Sequence, residues 1–252
     1  MRLILVGLLT CVTAATPAGA ILIRADRDDA EYVELASKYA SAVSLGAAGG
    51  EGVLVAPRWI LTSAHRAQAI EEMKSKPALR IGKRDYEIQS VFIRSPWTRG
   101  GSNDIALLLL KKAVSGVEPT PLYRESDESD QGVVIVGHGA SGKIGGPELA
   151  RDVRARAAIN TVNRVEPRRI GLRLKKGEDA SDLQGAITLE ETGSPAYIET
   201  KAGLFVAGIA IGTDDEWQNY ARVSFYVPWI EGVILDAAKQ EMNSILDGSG
   251  RN

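Results

Sequence analysis

Trp59-Ile60-Leu61-Thr62-Ser63-Ala64-His65 is the stretch on which the reading of this chain turns. Its first four residues favour extended backbone, and Pro57 separates them from Gly52-Val53-Leu54-Val55-Ala56, which predicts two strands joined by a turn. Outward from there the same short apolar run recurs at Leu79 to Gly82, Tyr86 to Ile93, Ile105 to Leu110, Val133 to Val136, Leu172 to Leu174, Leu204 to Ile211 and Ala221 to Phe225. Glycine-rich or charged turns lie between these runs, so the fold class is all-β. Helical spacing is confined to Asp29 to Tyr39 and to Pro228 to Leu246, where Trp229, Ile230, Val233, Ile234, Ala237 and Met242 fall near one face. Between Pro119 and Gly132 the chain turns polar, which reads either as a crossing linker between two β halves or as a long surface loop.

With 44% apolar and 25% charged residues the chain can build a core of domain size. A formal charge of -2 leaves no basic field for nucleic acid or an anionic membrane. Residues 1–20 read as a signal peptide: Arg2, then the apolar Leu3 to Thr10, then Ala18-Gly19-Ala20 as a small-residue cleavage site. A lipoprotein reading through Cys11 has the weaker pattern, with Thr10 just before the cysteine. The expectation is a secreted or periplasmic protein with no membrane attachment after signal cleavage, acting as a monomer. Cys11 is the sole cysteine and leaves with the signal, so the mature chain has neither disulfides nor cysteine metal sites.

A hydroxyl nucleophile needs an imidazole to take its proton and a buried carboxylate to orient that imidazole. Only His65 and His138 offer the imidazole. The segment ending in His65 resembles WVLTAAHC of trypsin-like serine proteases, with Arg66 in place of the cysteine. Asn103-Asp104-Ile105-Ala106-Leu107-Leu108 matches that family's NDIALL segment at every residue, and Glu190-Glu191-Thr192-Gly193-Ser194-Pro195 resembles GDSGGP. Val206-Ala207-Gly208-Ile209, Tyr220-Ala221-Arg222-Val223 and Val227-Pro228-Trp229-Ile230 resemble later family segments in the correct order.

This resemblance to the trypsin and chymotrypsin family covers nearly the whole mature chain. It implies two six-stranded antiparallel β-barrels and a C-terminal α-helix, with the first barrel over 21–125, the second over 126–228 and the helix and tail over 229–252. It also implies a triad of His65, Asp104 and Thr192, an oxyanion hole made by the Glu190 and Thr192 amides, no cofactor, no metal, and a polypeptide substrate or protein ligand. Primary specificity would come from Ala186 at the pocket floor with Ala210, Gly212 and Gln218 at its walls, which predicts small or apolar side chains rather than Lys or Arg.

The departures carry their own expectations. Threonine keeps the hydroxyl but adds a methyl group that restricts its rotamers, and a displacement of about 1 Å at a nucleophile is enough for a hundredfold loss. Glu190 replaces a glycine of the oxyanion hole, and Ala210 a serine that helps hold the aspartate. A weak or inactive protease is therefore expected, with a non-catalytic protein-binding module as the alternative. Ser194 as a substitute nucleophile is disfavoured by its two-residue offset and by Pro195 beside it. Glu191 stands where the family's aspartate pairs with the new amino terminus. Cleavage after Ala20 would expose Ile21, whose separation from His65 resembles that of the activated terminus, so the expectation is either docking of Ile21 on Glu191 or an ordinary free terminus with a solvated Glu191.

Three other features carry readings of their own. Gly137-His138-Gly139-Ala140-Ser141-Gly142-Lys143 formally fits a phosphate loop, but Ile144 replaces the magnesium-binding hydroxyl and Gly145-Gly146-Pro147 starts no helix. His138 then reads as a turn histidine without chemistry. Arg168 to Lys176 reads as a half-exposed hairpin, and Glu125 to Asp130, which lacks the spacing of a calcium loop, as a polar linker.

Overall fold

The computed structural model describes residues 21–139, 141–146, 148–150, 154–214 and 216–249. The signal-peptide stretch lies outside them.

Six strands, Ala42–Ser44, Glu51–Ala56, Trp59–Thr62, Ala78–Ile81, Arg84–Ile93 and Ala106–Leu110, form one antiparallel sheet. Its end strands Ala42–Ser44 and Ala78–Ile81 lie against each other, which rolls it into the first barrel. The second barrel closes through Gly132–His138, Ala155–Val165, Arg169–Leu172, Gln218–Arg222, Gly203–Thr213 and Pro195–Thr200. The Trp59–Thr62 strand pairs along its full length with Ala106–Leu110, placing Leu61 opposite Leu107 and Thr62 opposite Ala106. This register sets the ends of the two strands that lead to His65 and Asp104 side by side.

Three cores follow from this arrangement. One fills the first barrel around Leu54, Ile60, Ile70 and Leu108. A second fills the other barrel around Ile135, Ala158, Ile170 and Tyr220. The third lies between them, where Trp59, Leu107, Tyr197, Val206, Tyr226 and Ile230 meet.

Several boundaries differ from the sequence reading. Asp29 to Tyr39 yields a helix, α1, over Asp29–Ala36, closed at its start by a capping box between Asp28 and Glu31. With the short strand Leu22–Ile23, which pairs with Ser141–Lys143 and Gly185–Ala186, α1 packs on the second barrel, so residues 21–36 serve the second barrel rather than the first. Helix α2, Ala64–Glu72, was not anticipated. The C-terminal helix α3 begins at Val223 and runs to Ser249, taking in Pro228, which lies within its first two turns where the lost amide removes a single helical bond. Ala221 to Phe225 is thus a strand end followed by a helix start. The longest second-barrel strands include Ala155–Val165, whose polar alternation, with Asn160 and Asn163, hid it from an apolar-run criterion.

Candidate active site

His65 is the second residue of α2, and the Ser63 side chain at the cap makes no capping bond. Asp104 supplies that cap: its Oδ1 accepts the His65 backbone N–H at 3.0 Å, and its Oδ2 lies 2.8 Å from His65 Nδ1. One carboxylate therefore satisfies an orphan amide at the positive end of a helix and fixes the imidazole ring. A carboxylate can only accept, so Nδ1 carries the proton and Nε2 presents a lone pair. Asp104 is itself aimed by Asn103, held in the left-handed region (φ 65°) that asparagine tolerates. The Asn103 amide donates to Pro96 O at 2.7 Å, and its Oδ1 accepts from Tyr226 OH at 3.3 Å.

Thr192 arrives from the second barrel, in the turn before the strand Pro195–Thr200. Its Oγ1 stands 2.7 Å from His65 Nε2. The turn is fixed by Gly193 N–H to Ala210 O at 2.7 Å, Ala210 N–H to Ser194 O at 2.8 Å and Glu51 N–H to Thr192 O at 3.0 Å. Gly193 has φ +94°, and a Cβ there would sit 2.0 Å from Glu51 O, so no other residue fits this close approach. The three sequence-predicted triad residues are brought together with both bridging distances of hydrogen-bond length.

The oxyanion-hole reading for Glu190 needs correction. Leu189–Glu191 is a single 3-10 turn. The Leu189 carbonyl lies 3.2 Å from Thr192 Oγ1 and accepts from Arg66 Nη2 at 2.8 Å, and the Glu190 carbonyl accepts from the same Nη2 at 3.2 Å. In a trans peptide the N–H of residue 190 points opposite the carbonyl of residue 189, so the Glu190 amide faces away from the threonine hydroxyl. A side chain stands there instead. Arg66 folds back from α2 and donates from Nε to Thr192 Oγ1 at 2.7 Å. It lies over Gly50 (φ +83°), where a Cβ would come within 2.6 Å of Arg66 Cδ and Nε. The sequence reading recorded Arg66 only as a missing cysteine; Gly50, without a side chain, was the available sign of its path.

Burial lowers the Arg66 pKa while the carboxylates of Glu190, Glu51 and Asp104 oppose that shift, and a guanidinium stays protonated throughout. Glu191 is buried, with Thr188 N–H donating to its Oε2 at 2.8 Å and the backbone nitrogen of the equally buried Ile21 beside the carboxyl. Desolvation, reinforced by the nearby Glu51, pushes its pKa well above the ordinary carboxylate range. His138 is no idle turn residue. It ends the strand Gly132–His138, and its Nδ1 meets the buried Glu51 carboxylate at 2.8 Å. Burial pulls the His138 pKa down, but the Glu51 charge and hydrogen bond outweigh it and the net shift is upward. Ser194 is fully buried, and among the described residues its hydroxyl has no hydrogen-bond partner.

A cleft of about 600 Å³ opens beside Thr192, walled by His65, Arg66, Arg99, Arg169 and Gly212. Of the four specificity positions, Gly212 lines this cleft, while Ala186, Ala210 and Gln218 are buried behind it. Gln218 Oε1 accepts from Ile187 N–H at 2.9 Å and its Nε2 donates to Gly185 O at 3.4 Å, so its amide bridges to the strand that carries Ala186. Among the described residues no group of three or more His, Cys, Asp or Glu is placed to hold a metal ion.

Residues 31–230 match the protein-family model described as Trypsin. No curated protein matches the chain.

Proposed function

Because the chain belongs to the trypsin family, we propose that it hydrolyses peptide bonds with Thr192 as nucleophile, His65 as general base and Asp104 as the carboxylate that orients it. The observation that carries this reading is the relay of 2.8 Å from Asp104 to His65 and 2.7 Å from His65 to Thr192. Attack transfers the Thr192 hydroxyl proton to Nε2 as Oγ1 bonds to the carbonyl carbon. The imidazolium returns that proton to the leaving amine, and water completes the cycle through the same base. The added methyl group lowers turnover relative to a serine nucleophile without removing the chemistry.

The same reading includes removal of residues 1–20 and action outside the cytoplasm. Freed, the Ile21 amine would place an ammonium against the Glu191 carboxylate, and burial of both residues supports that pairing. The reading also takes substrates with small or apolar side chains, supported by Ala186 at the floor position in place of an acidic residue and by the Gln218 amide bonded to Gly185 and Ile187 beside it.

The alternative is a non-catalytic protein-binding module, favoured by one observation: a carbonyl of Leu189, rather than an amide, faces the threonine hydroxyl. Hydrolysis of a fluorogenic peptide library separates the two. The protein is expected to cleave slowly, His65→Ala to be inert, and Thr192→Ser to be faster by about 10- to 100-fold, the scale of a nucleophile displaced by about 1 Å. Cleavage by none of the three would leave binding as the function.

A further inference from the structure

The turn Leu189–Glu191 directs carbonyls at the reacting hydroxyl, so developing negative charge on a substrate carbonyl would meet repulsion from the backbone. The neighbouring cation has the opposite character. The side edge of the Arg66 guanidinium, Nε–H and Nη2–H, straddles Thr192 Oγ1 and Leu189 O at 2.7 and 2.8 Å. Its Nη1 makes no hydrogen bond among the described residues. Arg66 itself lines the cleft. Gly49 and Gly50 together leave the space this side chain needs, with a Cβ at Gly49 falling 3.3 Å from Nη1.

On the triad reading above, we infer that Arg66 is the oxyanion-stabilising catalytic residue of this protein, taking over the role that the Glu190 amide does not fill. Thr192 Oγ1 accepts from Arg66 Nε–H and donates its own proton to His65 Nε2, so the guanidinium favours the alkoxide character that attack requires. As Oγ1 bonds to the carbonyl carbon, its lone pair is spent and it becomes a poor acceptor. The carbonyl π pair moves to the substrate oxygen, which then lies next to Oγ1 and receives the Nε–H donor. Collapse returns that pair to the carbonyl, expels the amine with the proton held by His65, and leaves the threonyl ester for water to hydrolyse. A guanidinium in a partly buried cleft provides a charge-assisted bond to the developing anion, and its Nη2 bonds to the Leu189 and Glu190 carbonyls hold the plane in position.

The test compares the protein with Arg66→Ala and Arg66→Lys in binding a peptide boronate, whose tetrahedral adduct on Thr192 mimics the intermediate, and in binding the matching uncleaved peptide amide to His65→Ala backgrounds. Arg66→Ala is expected to weaken boronate binding and to lower kcat by about 10²–10³-fold, the usual loss for one oxyanion donor, while amide binding stays unchanged. Arg66→Lys, which keeps the charge without the fork, should recover part of that loss and serves as the readable variant if the alanine form unfolds. Boronate affinity unchanged in both variants, or faster hydrolysis by Arg66→Ala, overturns the inference, the second outcome marking Arg66 as a plug of the hole. Wild-type protein that neither cleaves peptides nor binds the boronate sinks the triad reading and this inference with it. Wild-type binding that is indifferent to Arg66 sinks this inference alone.

Discussion

At the scale of single residues, the site combines a relay of the expected kind with an unexpected cation. Thr192 Oγ1 has three neighbours competing for it, His65 Nε2, Arg66 Nε and Leu189 O, and the two at 2.7 Å define a hydroxyl that accepts from the arginine and donates to the imidazole. The buried Glu191 gives a pH signature of its own. In the unfolded chain a glutamate titrates near about 4.3, whereas burial makes the folded carboxyl hold its proton to higher pH. Between those two values the folded state binds more protons, so its stability falls as pH rises through that window. A form extended by even one residue before Ile21 should therefore lose stability from acid towards neutral pH. With Ile21 as the free terminus the ammonium would favour the ionised Glu191 carboxylate and gain a partner of its own, so the loss moves to higher pH: the ammonium's contribution is complete below its unfolded pKa of about 7.7–8.0 and is lost as pH rises through its folded one. Thermal unfolding of both forms from acid to alkaline pH checks the displacement of the window. Glu191→Gln should stabilise the extended form and destabilise the processed one; equal effects on both would remove Ile21 docking from the account.

At the scale of elements, helix termini and strand ends do most of the positioning. Helix α2 is capped by a residue from another strand, so the histidine, its helix and the orienting aspartate are fixed by one carboxylate. Helix α1 is tied to the second barrel by Arg156, fully buried, whose Nε and Nη2 reach the Asp29 carboxylate at 2.5 and 2.9 Å and whose Nη1 donates to Gly139 O. Asp29→Ala removes a carboxylate that two donors of this buried guanidinium reach, so a destabilisation of about 3 kcal/mol or more is expected in chemical denaturation. Adding Arg156→Met should recover part of the loss, because the buried charge then goes too. The polar stretch before Gly132 behaves in the same way. Glu128 is fully buried, bonded to Arg222 Nε at 2.9 Å, Arg222 Nη2 at 2.7 Å and Ser224 Oγ at 2.5 Å, which ties the inter-barrel segment to the start of α3. Composition marks such a segment as polar, but only the fold supplies the arginine that makes a buried glutamate tenable.

At the scale of the whole molecule, the hydrogen-bonded relay from Asp104 through His65 to Thr192 exists only while the barrels are docked, since His65 and Asp104 come from one and Thr192 from the other. The core between them, with Tyr197, Tyr226 and Ile230, couples the two. Tyr226 also reaches Asn103, the residue that aims Asp104, so α3 supports the site from behind. Ile230→Ala is expected to cost about 2–5 kcal/mol by leaving a cavity in this shared core. Its urea transitions by far-UV circular dichroism and by tryptophan fluorescence should shift together; separate transitions would mean that the barrels unfold independently.

What the sequence by itself determined is local and chemical: short apolar runs set the β class, and three motifs in order pointed to the family and to His65, Asp104 and Thr192, which the fold brings within hydrogen-bond distance. Glu191 was singled out through the same motif order, and the fold buries it. The rest depended on contacts between distant residues. Strand Ala155–Val165 has too many polar residues to announce itself, and it is a strand because it pairs with Gly132–His138 and Arg169–Leu172 on either side. His138 acquired a role only through Glu51, 87 residues away in the chain. The path of Arg66 and the direction of the Leu189 carbonyl were decided by tertiary structure alone, because a peptide's orientation and a long side chain's rotamer follow from the donors and acceptors that folding brings within about 3 Å, not from the residues beside them in the chain.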